Sequence, residues 1–133
     1  VSDMQNLFIG NANNWGQATM KWNLILDQNN GPKNGGCPNC WGLLTYNTDN
    51  EQVYETVDYY AVGTFSKYVP RGSVRVQVDT NDGNLLATGF AKDNSRTVIV
   101  LNQDWSDRQF SLSYQKKYIQ VTIPAKTVAV YTW

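Results

Sequence analysis

Four side chains in the first quarter of the chain have the chemistry needed to bind a sugar ring. An indole can stack on the C–H face of the ring, and amide and carboxylate groups can hydrogen-bond its hydroxyls. They lie where a short apolar run, residues 20–26, opens into a loop rich in Asn, Gly and Pro. The run is predicted to be a buried strand, and α/β enzymes build ligand sites where such strands open into loops. The predicted substrate-binding residues are Trp22, Asn23, Asp27 and Gln28.

The alternative for Trp22 is a purely structural role. Tryptophan is highly buried on average, so an indole beside an apolar run can simply pack in a core. Residue chemistry alone leaves the two interpretations about equally supported.

The chain has two cysteines, Cys37 and Cys40, in a C-x-x-C spacing. A structural zinc site usually needs four ligands, and the sequence has no histidine and no further cysteine. A thioredoxin-like redox pair usually lies between a strand and the start of a helix, whereas the flanking NGG and WGLL indicate loop and strand. A local disulfide that holds the loop is the favoured interpretation, and it predicts an oxidising compartment.

The composition argues against several classes of partner. The 133 residues carry 11 basic and 11 acidic side chains, and this balance does not favour nucleic acid or an anionic membrane. Hydrophobic residues make up 41%, enough for a core, but no run approaches the roughly 18 apolar residues of a membrane span. No cofactor motif occurs, so no cofactor and no metal is predicted. The chain begins without Met and without a visible signal peptide, which suggests a processed or truncated product.

Apolar spacing predicts the elements of the first half. Steps of three and four residues indicate an amphipathic helix over residues 3–15 and another over residues 57–68. Pro70 ends the second helix because proline disfavours helical geometry at the residue before it. Residues 43–46 and 52–54 are strand candidates on either side of the turn signal NTDN.

The second half has the alternating pattern of β-strands. After residue 72 the apolar period changes to two, and the polar clusters TNDGN, KDNSR and NQDWSDR indicate turns. Five or six strands at such spacing predict an antiparallel β-sandwich. The predicted strands cover residues 74–78, 98–101, 110–114, 119–123 and 128–133.

The chain is therefore divided into residues 1–70 and residues 71–133. In the first part, the strand over residues 20–26 has a helix on either side and no predicted partner. A parallel-type strand without neighbours leaves its backbone donors and acceptors unsatisfied. The simplest remedy is that residues 1–70 are the last part of a larger α/β barrel.

Three segments resemble glycoside hydrolase family 30, which includes glucosylceramidases, β-1,6-glucanases and related β-glycosidases. They are WNLILDQNNGPKNGGCPNC, YYAVGTFSKYVPRGSVRV and TIPAKTVAVYTW. The resemblance implies an α/β plus all-β fold: the C-terminal end of a (β/α)8 TIM barrel followed by an antiparallel β-sandwich side domain. Residues 20–26 then match the eighth barrel strand, residues 57–68 the eighth helix, and residues 73–133 most of the sandwich. Thr64 and Tyr68 depart from the His and Phe that are usual in the motif, which concerns the subfamily.

The resemblance implies a retaining β-glycosidase that hydrolyses β-glucosidic bonds in a glycolipid or a glucan. Such enzymes use two glutamates whose carboxyl groups lie about 5–5.5 Å apart. The chain has only two glutamates, Glu51 and Glu55, and neither lies in a matching motif. No catalytic residue is therefore assigned. The chain is expected to be inactive alone, with both catalytic glutamates upstream of Val1.

The substrate-binding assignment also follows from the resemblance. Trp22 matches a family tryptophan that lines the sugar subsite, and Asn23 follows it in the motif. Asp27, Gln28 and the loop over residues 33–40 would shape the side that holds the aglycone. The predicted partners are a carbohydrate substrate and the remainder of the barrel, and the predicted location is extracellular.

Two non-catalytic functions compete with this prediction. A carbohydrate-binding module would use Trp41, Trp105 or the face of the sandwich. Trp105 lies in a turn that looks exposed, although it could equally cover one end of the sandwich. A purely structural side domain would instead pack on the barrel.

Overall fold

A computed structural model describes all residues from Val1 to Trp133. The first helix, α1, is π-helical at first and then α-helical, and the second helix is α2. Nine strands are present. The bounds are α1 (Met4–Gly10 and Asn11–Asn13), β1 (Ile25–Asp27), β2 (Leu44–Asn47), β3 (Gln52–Glu55), α2 (Val57–Tyr68), β4 (Val74–Val76), β5 (Leu85–Lys92), β6 (Ser95–Asn102), β7 (Arg108–Tyr114), β8 (Lys117–Ile123) and β9 (Val128–Thr132).

The chain forms two compact units. One comprises Val1–Gln17 and Tyr68–Trp133, and the other Ala18–Lys67. The N-terminal helix is thus grouped with the C-terminal strands, which the division into residues 1–70 and 71–133 does not anticipate. The assignment of residues 1–70 to a barrel stays a prediction.

The larger unit is a β-sandwich. One layer is an antiparallel sheet in the order β4-β5-β6-β9, and the other is the antiparallel hairpin β7-β8. The side chains between the layers alternate along their strands, as the period of two predicts. The core residues are Leu85, Ala87, Val98, Val100 and Ile123, with Val78, Phe110, Leu112, Ala129 and Tyr131 packed against them.

Strand β6 is buried on both faces. Val98 and Val100 point into the core between the layers, so the alternating Ile99 and Leu101 point to the opposite face, where both are fully buried. Helix α1 lies against β5 and β6, and its Asn13 side chain donates a hydrogen bond to the carbonyl of Ala87 at 2.9 Å. This double burial explains why residues 98–101 form a continuous apolar run.

Helix α1 differs in one respect from the amphipathic helix predicted over residues 3–15. The buried residues are Met4, Phe8 and Ile9, whereas Trp15 lies beyond the helix and is 76% exposed. In a π-helical segment the hydrogen bonds join residues five apart, which widens each turn and brings residues four and five apart onto one face.

No helix of the structure is long and apolar enough to cross a lipid bilayer.

The smaller unit contains a three-stranded sheet in the order β1-β2-β3. Strand β1 pairs in parallel with β2, with Leu26 opposite Thr45, and β2 pairs antiparallel with β3. Helix α2 covers Val57–Tyr68, as the sequence predicts. An ion pair of 3.0 Å joins Lys21 to Asp58 in the first turn of α2.

The prediction of a buried strand over residues 20–26 is wrong in this structure. Only Ile25–Asp27 is a strand, and of the run only Leu26 is buried, while Met20 is 94% exposed. The strand is also not without a partner, because β2 pairs with it. An apolar run indicates burial only if neighbours cover both faces, and a three-stranded sheet does not supply them.

One further difference concerns the predicted strands. Leu85–Lys92 is a strand that the pattern analysis did not identify, and it brings the sandwich to six strands. Its sequence is interrupted by Gly89, at which a Cβ atom would lie only 2.5 Å from Val78 Cγ2. The glycine therefore leaves room for the side chains of Val76 and Val78, and the lack of a side chain at residue 89 obscures the alternating pattern of the strand.

Candidate functional site

The candidate sugar-binding residues lie at the two ends of the parallel pair β1-β2. The backbone N–H of Asn23 donates to the carbonyl of Trp41 at 3.2 Å, and the N–H of Leu43 donates to the carbonyl of Asn23 at 2.8 Å. We call this the aromatic end, defined by Trp22, Asn23 and Trp41. At the opposite, polar end lie Asp27, Gln28 and Thr48.

The aromatic end presents two indoles to solvent. Trp22 is 74% exposed and Trp41 is 65% exposed, so neither side chain is needed to fill a core. The side-chain oxygen of Asn23 accepts a hydrogen bond from the N–H of Leu24 at 2.5 Å, which orients the amide. Exposed aromatic faces beside an oriented amide are the groups that a sugar ring requires.

The Asp27 carboxylate shapes its own loop. Its Oδ1 accepts hydrogen bonds from the N–H of Asn29 at 2.8 Å and of Gly31 at 2.7 Å. The backbone N–H of Asp27 in turn donates to the Gly31 carbonyl at 2.8 Å. This is the turn that an aspartate makes with backbone groups two residues on, and it engages one of the two carboxylate oxygens.

The Gln28 side chain joins the same loop to the β2-β3 turn. Its Nε2 donates to Thr48 Oγ1 at 2.8 Å, and its Oε1 accepts from the Thr48 N–H at 3.0 Å. Both ends of the amide are therefore engaged with Thr48. The sequence gives no hint of this pairing, because the two residues are twenty positions apart.

The loop between β1 and β2 is closed by a disulfide. Cys37 and Cys40 are bonded to each other, which agrees with the pairing favoured from the sequence. The loop then enters β2 through Gly42, which is buried. The Thr56 side chain fixes the backbone where the loop joins β2, because its hydroxyl lies 3.0 Å from the Gly42 carbonyl and 2.9 Å from the Leu43 carbonyl.

The two glutamates lie near the two ends of β3. Glu51 lies in the β2-β3 turn and Glu55 ends β3, and both are exposed. Glu55 accepts a hydrogen bond of 2.6 Å from the Tyr60 hydroxyl, and this bond raises the pKa of Tyr60.

The structure thus divides the four predicted binding residues into two pairs. Trp22 and Asn23 lie with Trp41 at the aromatic end, while Asp27 and Gln28 hold loops at the polar end. Thr48, Thr56 and Gly42 were not identified from the sequence, although each supports the backbone near a predicted residue. A binding role for the four residues stays a prediction.

The larger unit matches a known family. The sequence model described as the glycosyl hydrolase family 30 beta sandwich domain matches residues 72–131. These residues include β4 to β8 and all but the last residue of β9.

Solved structures and characterised relatives extend this similarity to the first half. A solved endo-β-1,6-glucanase superposes with a TM-score of 0.89 and 27% identity over 99% of this chain and 30% of its own. SrfJ from Salmonella typhimurium superposes with a TM-score of 0.79 and 26% identity over 84% of this chain and 25% of its own.

Among sequence relatives, the endo-1,6-β-D-glucanase BGN16.3 of Trichoderma harzianum is 28% identical over 79% of this chain. The lysosomal acid glucosylceramidase of Mus musculus is 26% identical over 84% of this chain. The chain spans only 23% and 22% of the lengths of these two relatives, respectively.

Proposed function

Because the chain carries the β-sandwich domain of glycosyl hydrolase family 30, we propose that it is the C-terminal part of a retaining β-glycosidase. The substrate class is a β-glucosidic bond in a glucan or a glycolipid, since the relatives are named as endo-1,6-β-glucanases and glucosylceramidases. The remainder of the barrel is then the partner of the smaller unit.

One observation carries this proposal. The superposition on the solved endo-β-1,6-glucanase covers 99% of the chain, so it includes the β1-β2-β3 sheet and α2 as well as the sandwich. A match to the sandwich alone would support only a detached module. Similarity over both units supports a chain that includes part of the enzyme's substrate-binding region.

In this proposal the Trp22 indole stacks on the sugar ring, and the neighbouring Asn23 amide hydrogen-bonds the sugar hydroxyls. The aromatic end supports this role because its indoles are exposed and its backbone is held by the pairing of Asn23 with Trp41 and Leu43. Asp27 and Gln28 act less directly, by fixing the two loops at the polar end that would border the aglycone.

The chain is proposed to bind sugar without cutting it. Glu51 lies exposed in the β2-β3 turn and Glu55 lies exposed at the end of β3, and the proposal assigns neither of them a catalytic role. The two catalytic glutamates then belong to the part of the enzyme outside residues 1–133.

The isolated chain is expected to release no product from an aryl β-glucoside. The measurement is the absorbance of released nitrophenol, with the intact enzyme as a positive control. Because the proposal puts both glutamates elsewhere, the double variant Glu51→Gln, Glu55→Gln of the intact enzyme is expected to retain its activity. Turnover by the isolated chain, or loss of activity in the double variant, would contradict the proposal.

Trp22→Ala in the intact enzyme is expected to lower kcat/KM by about tenfold to a hundredfold, the loss of one stacking face. The free energy of unfolding should change little, because the ring is 74% exposed in this chain. Trp22→Phe is the matched variant and should recover part of the activity. A parallel loss of stability and activity, without rescue by Phe, would assign Trp22 to packing instead.

The Cys37–Cys40 disulfide supports an extracellular location for the enzyme, because disulfides persist in oxidising compartments.

A purely non-catalytic role for the sandwich is the second candidate function. The observation that favours carbohydrate binding by the sandwich is the geometry around Trp105.

A further inference from the structure

We propose that Trp105 is the stacking platform of a carbohydrate-binding site on the β-sandwich, separate in role from the Trp22 subsite. Trp105 follows β6 and is 85% exposed. It therefore does not cover the end of the sandwich, which was the structural alternative. An indole left this exposed contributes little to folding, because it removes little apolar area from water.

The loop that presents Trp105 is held from below by a buried amide. Asn102 is fully buried, and its Nδ2 lies 2.9 Å from the Ser106 carbonyl, with the carbonyls of Ile123 and Pro124 at 3.2 and 3.0 Å. Its Oδ1 accepts from the N–H of Asp104 at 2.9 Å. One side chain thus fixes both the loop over residues 102–108 and the loop after β8.

A second layer of bonds fixes the backbone next to the indole. The Asp104 carboxylate accepts from the N–H of Trp105 at 2.7 Å and from the Ser106 hydroxyl at 3.1 Å, and it pairs with Arg108. Arg108 also lies 3.3 Å from Asp82. The hydrogen bond from Arg108 lowers the pKa of Asp104, so the carboxylate is charged at neutral pH.

The indole itself is oriented by a cation. Lys126 Nζ lies 4.3 Å from the centroid of the ring and also donates to the carbonyl of Gln103. The N–H of Lys126 donates to the Asp104 carbonyl at 3.0 Å, which anchors the lysine at its backbone. An ammonium over one face holds the ring while the high exposure leaves ring surface for a ligand.

These features fit a sugar better than an apolar partner. A pre-organised aromatic surface reduces the entropic cost of binding, and polar groups at its border can meet hydroxyls. The nearby charges are mixed, with Lys126 and Arg108 against Asp104 and Asp107, so they favour neither an anionic nor a cationic ligand. The ligand class is a neutral β-linked glucan, and this choice rests on the proposed function.

The test is affinity electrophoresis of the whole chain in native gels that contain a soluble β-1,6-glucan, with a glucan-free gel as reference. The parent chain is expected to be retarded, and Trp105→Ala to need about tenfold more glucan for the same retardation. Trp15→Ala is the matched control, because Trp15 is also an exposed indole beside a cation, with Arg75 at 4.4 Å. Circular dichroism checks that each variant is folded.

Retardation lost in Trp105→Ala and kept in Trp15→Ala would support the site, and any weakening seen in Trp22→Ala belongs to the separate Trp22 subsite. Loss in Trp22→Ala alone, equal retardation of all variants, or no retardation of the parent would overturn it. The last result would favour a protein contact at Trp105. Because binding is read without turnover, failure of the proposed hydrolytic function leaves this test intact.

Discussion

Asn102→Ala is expected to destabilise the β-sandwich by about 3–5 kcal/mol, enough to unfold a marginal domain. The change removes the donor shared by the carbonyls of Ser106, Ile123 and Pro124, and the acceptor for the N–H of Asp104. Each backbone group left unsatisfied in a buried site costs about 1–3 kcal/mol. Urea denaturation followed by circular dichroism measures the loss.

The matched control for this change is Asn81→Ala. Asn81 has the same side chain but lies exposed in the loop before β5, so its removal should change the free energy of unfolding by less than about 0.5 kcal/mol. A comparably small effect of Asn102→Ala would mean that water replaces the buried amide. The loop that carries Trp105 would then not depend on Asn102.

Much of the sandwich follows from the sequence because its strands have one face in the core and one outside. That geometry imposes a period of two, which identifies β4, β7 and β8. Strand β6 follows from its continuous apolar run, since burial on both faces removes the alternation. Packing of α1 onto the outer face of this sheet could not be predicted, because no local pattern states which surface an amphipathic helix covers.

The candidate site was harder to predict because chemistry in the sequence does not reveal which groups are already engaged. Asp27 precedes a loop with Asn and Gly, and its bond to the N–H of Asn29 is a local turn that the sequence could have suggested. The pairing of Gln28 with Thr48 depends on the register of β1 against β2, which is not local. The exposure of Trp22 argues against a packing role in this chain, while its binding role stays a prediction.

The parallel pairing of β1 with β2 depends on a glycine that the sequence does not mark as special. A Cβ atom at Gly42 would lie 2.5 Å from the Leu44 carbonyl oxygen, 2.9 Å from the Leu26 nitrogen and 3.1 Å from the Ile25 α-carbon. All three atoms are backbone, so none can move without moving a strand. Strands β1 and β2 can therefore approach each other this closely only because residue 42 has no side chain.

Gly42→Ala is accordingly expected to destabilise the smaller unit by about 3 kcal/mol, at the upper end of overpacking costs. Limited proteolysis should cut the loop over residues 28–41 faster, because that loop joins the two displaced strands. Gly36→Ala is the matched control, since a Cβ atom there would meet nothing within 4 Å.

The same substitution also tests how the aromatic end works. Gly42 follows Trp41, whose carbonyl accepts from the N–H of Asn23, so separation of β1 from β2 shifts Trp22 and Asn23 relative to Trp41. In the intact enzyme, Gly42→Ala should therefore lower kcat/KM although it removes no group that touches sugar. Unchanged activity with accelerated proteolysis would show that sugar binding needs Trp22 alone and not its spacing from Trp41.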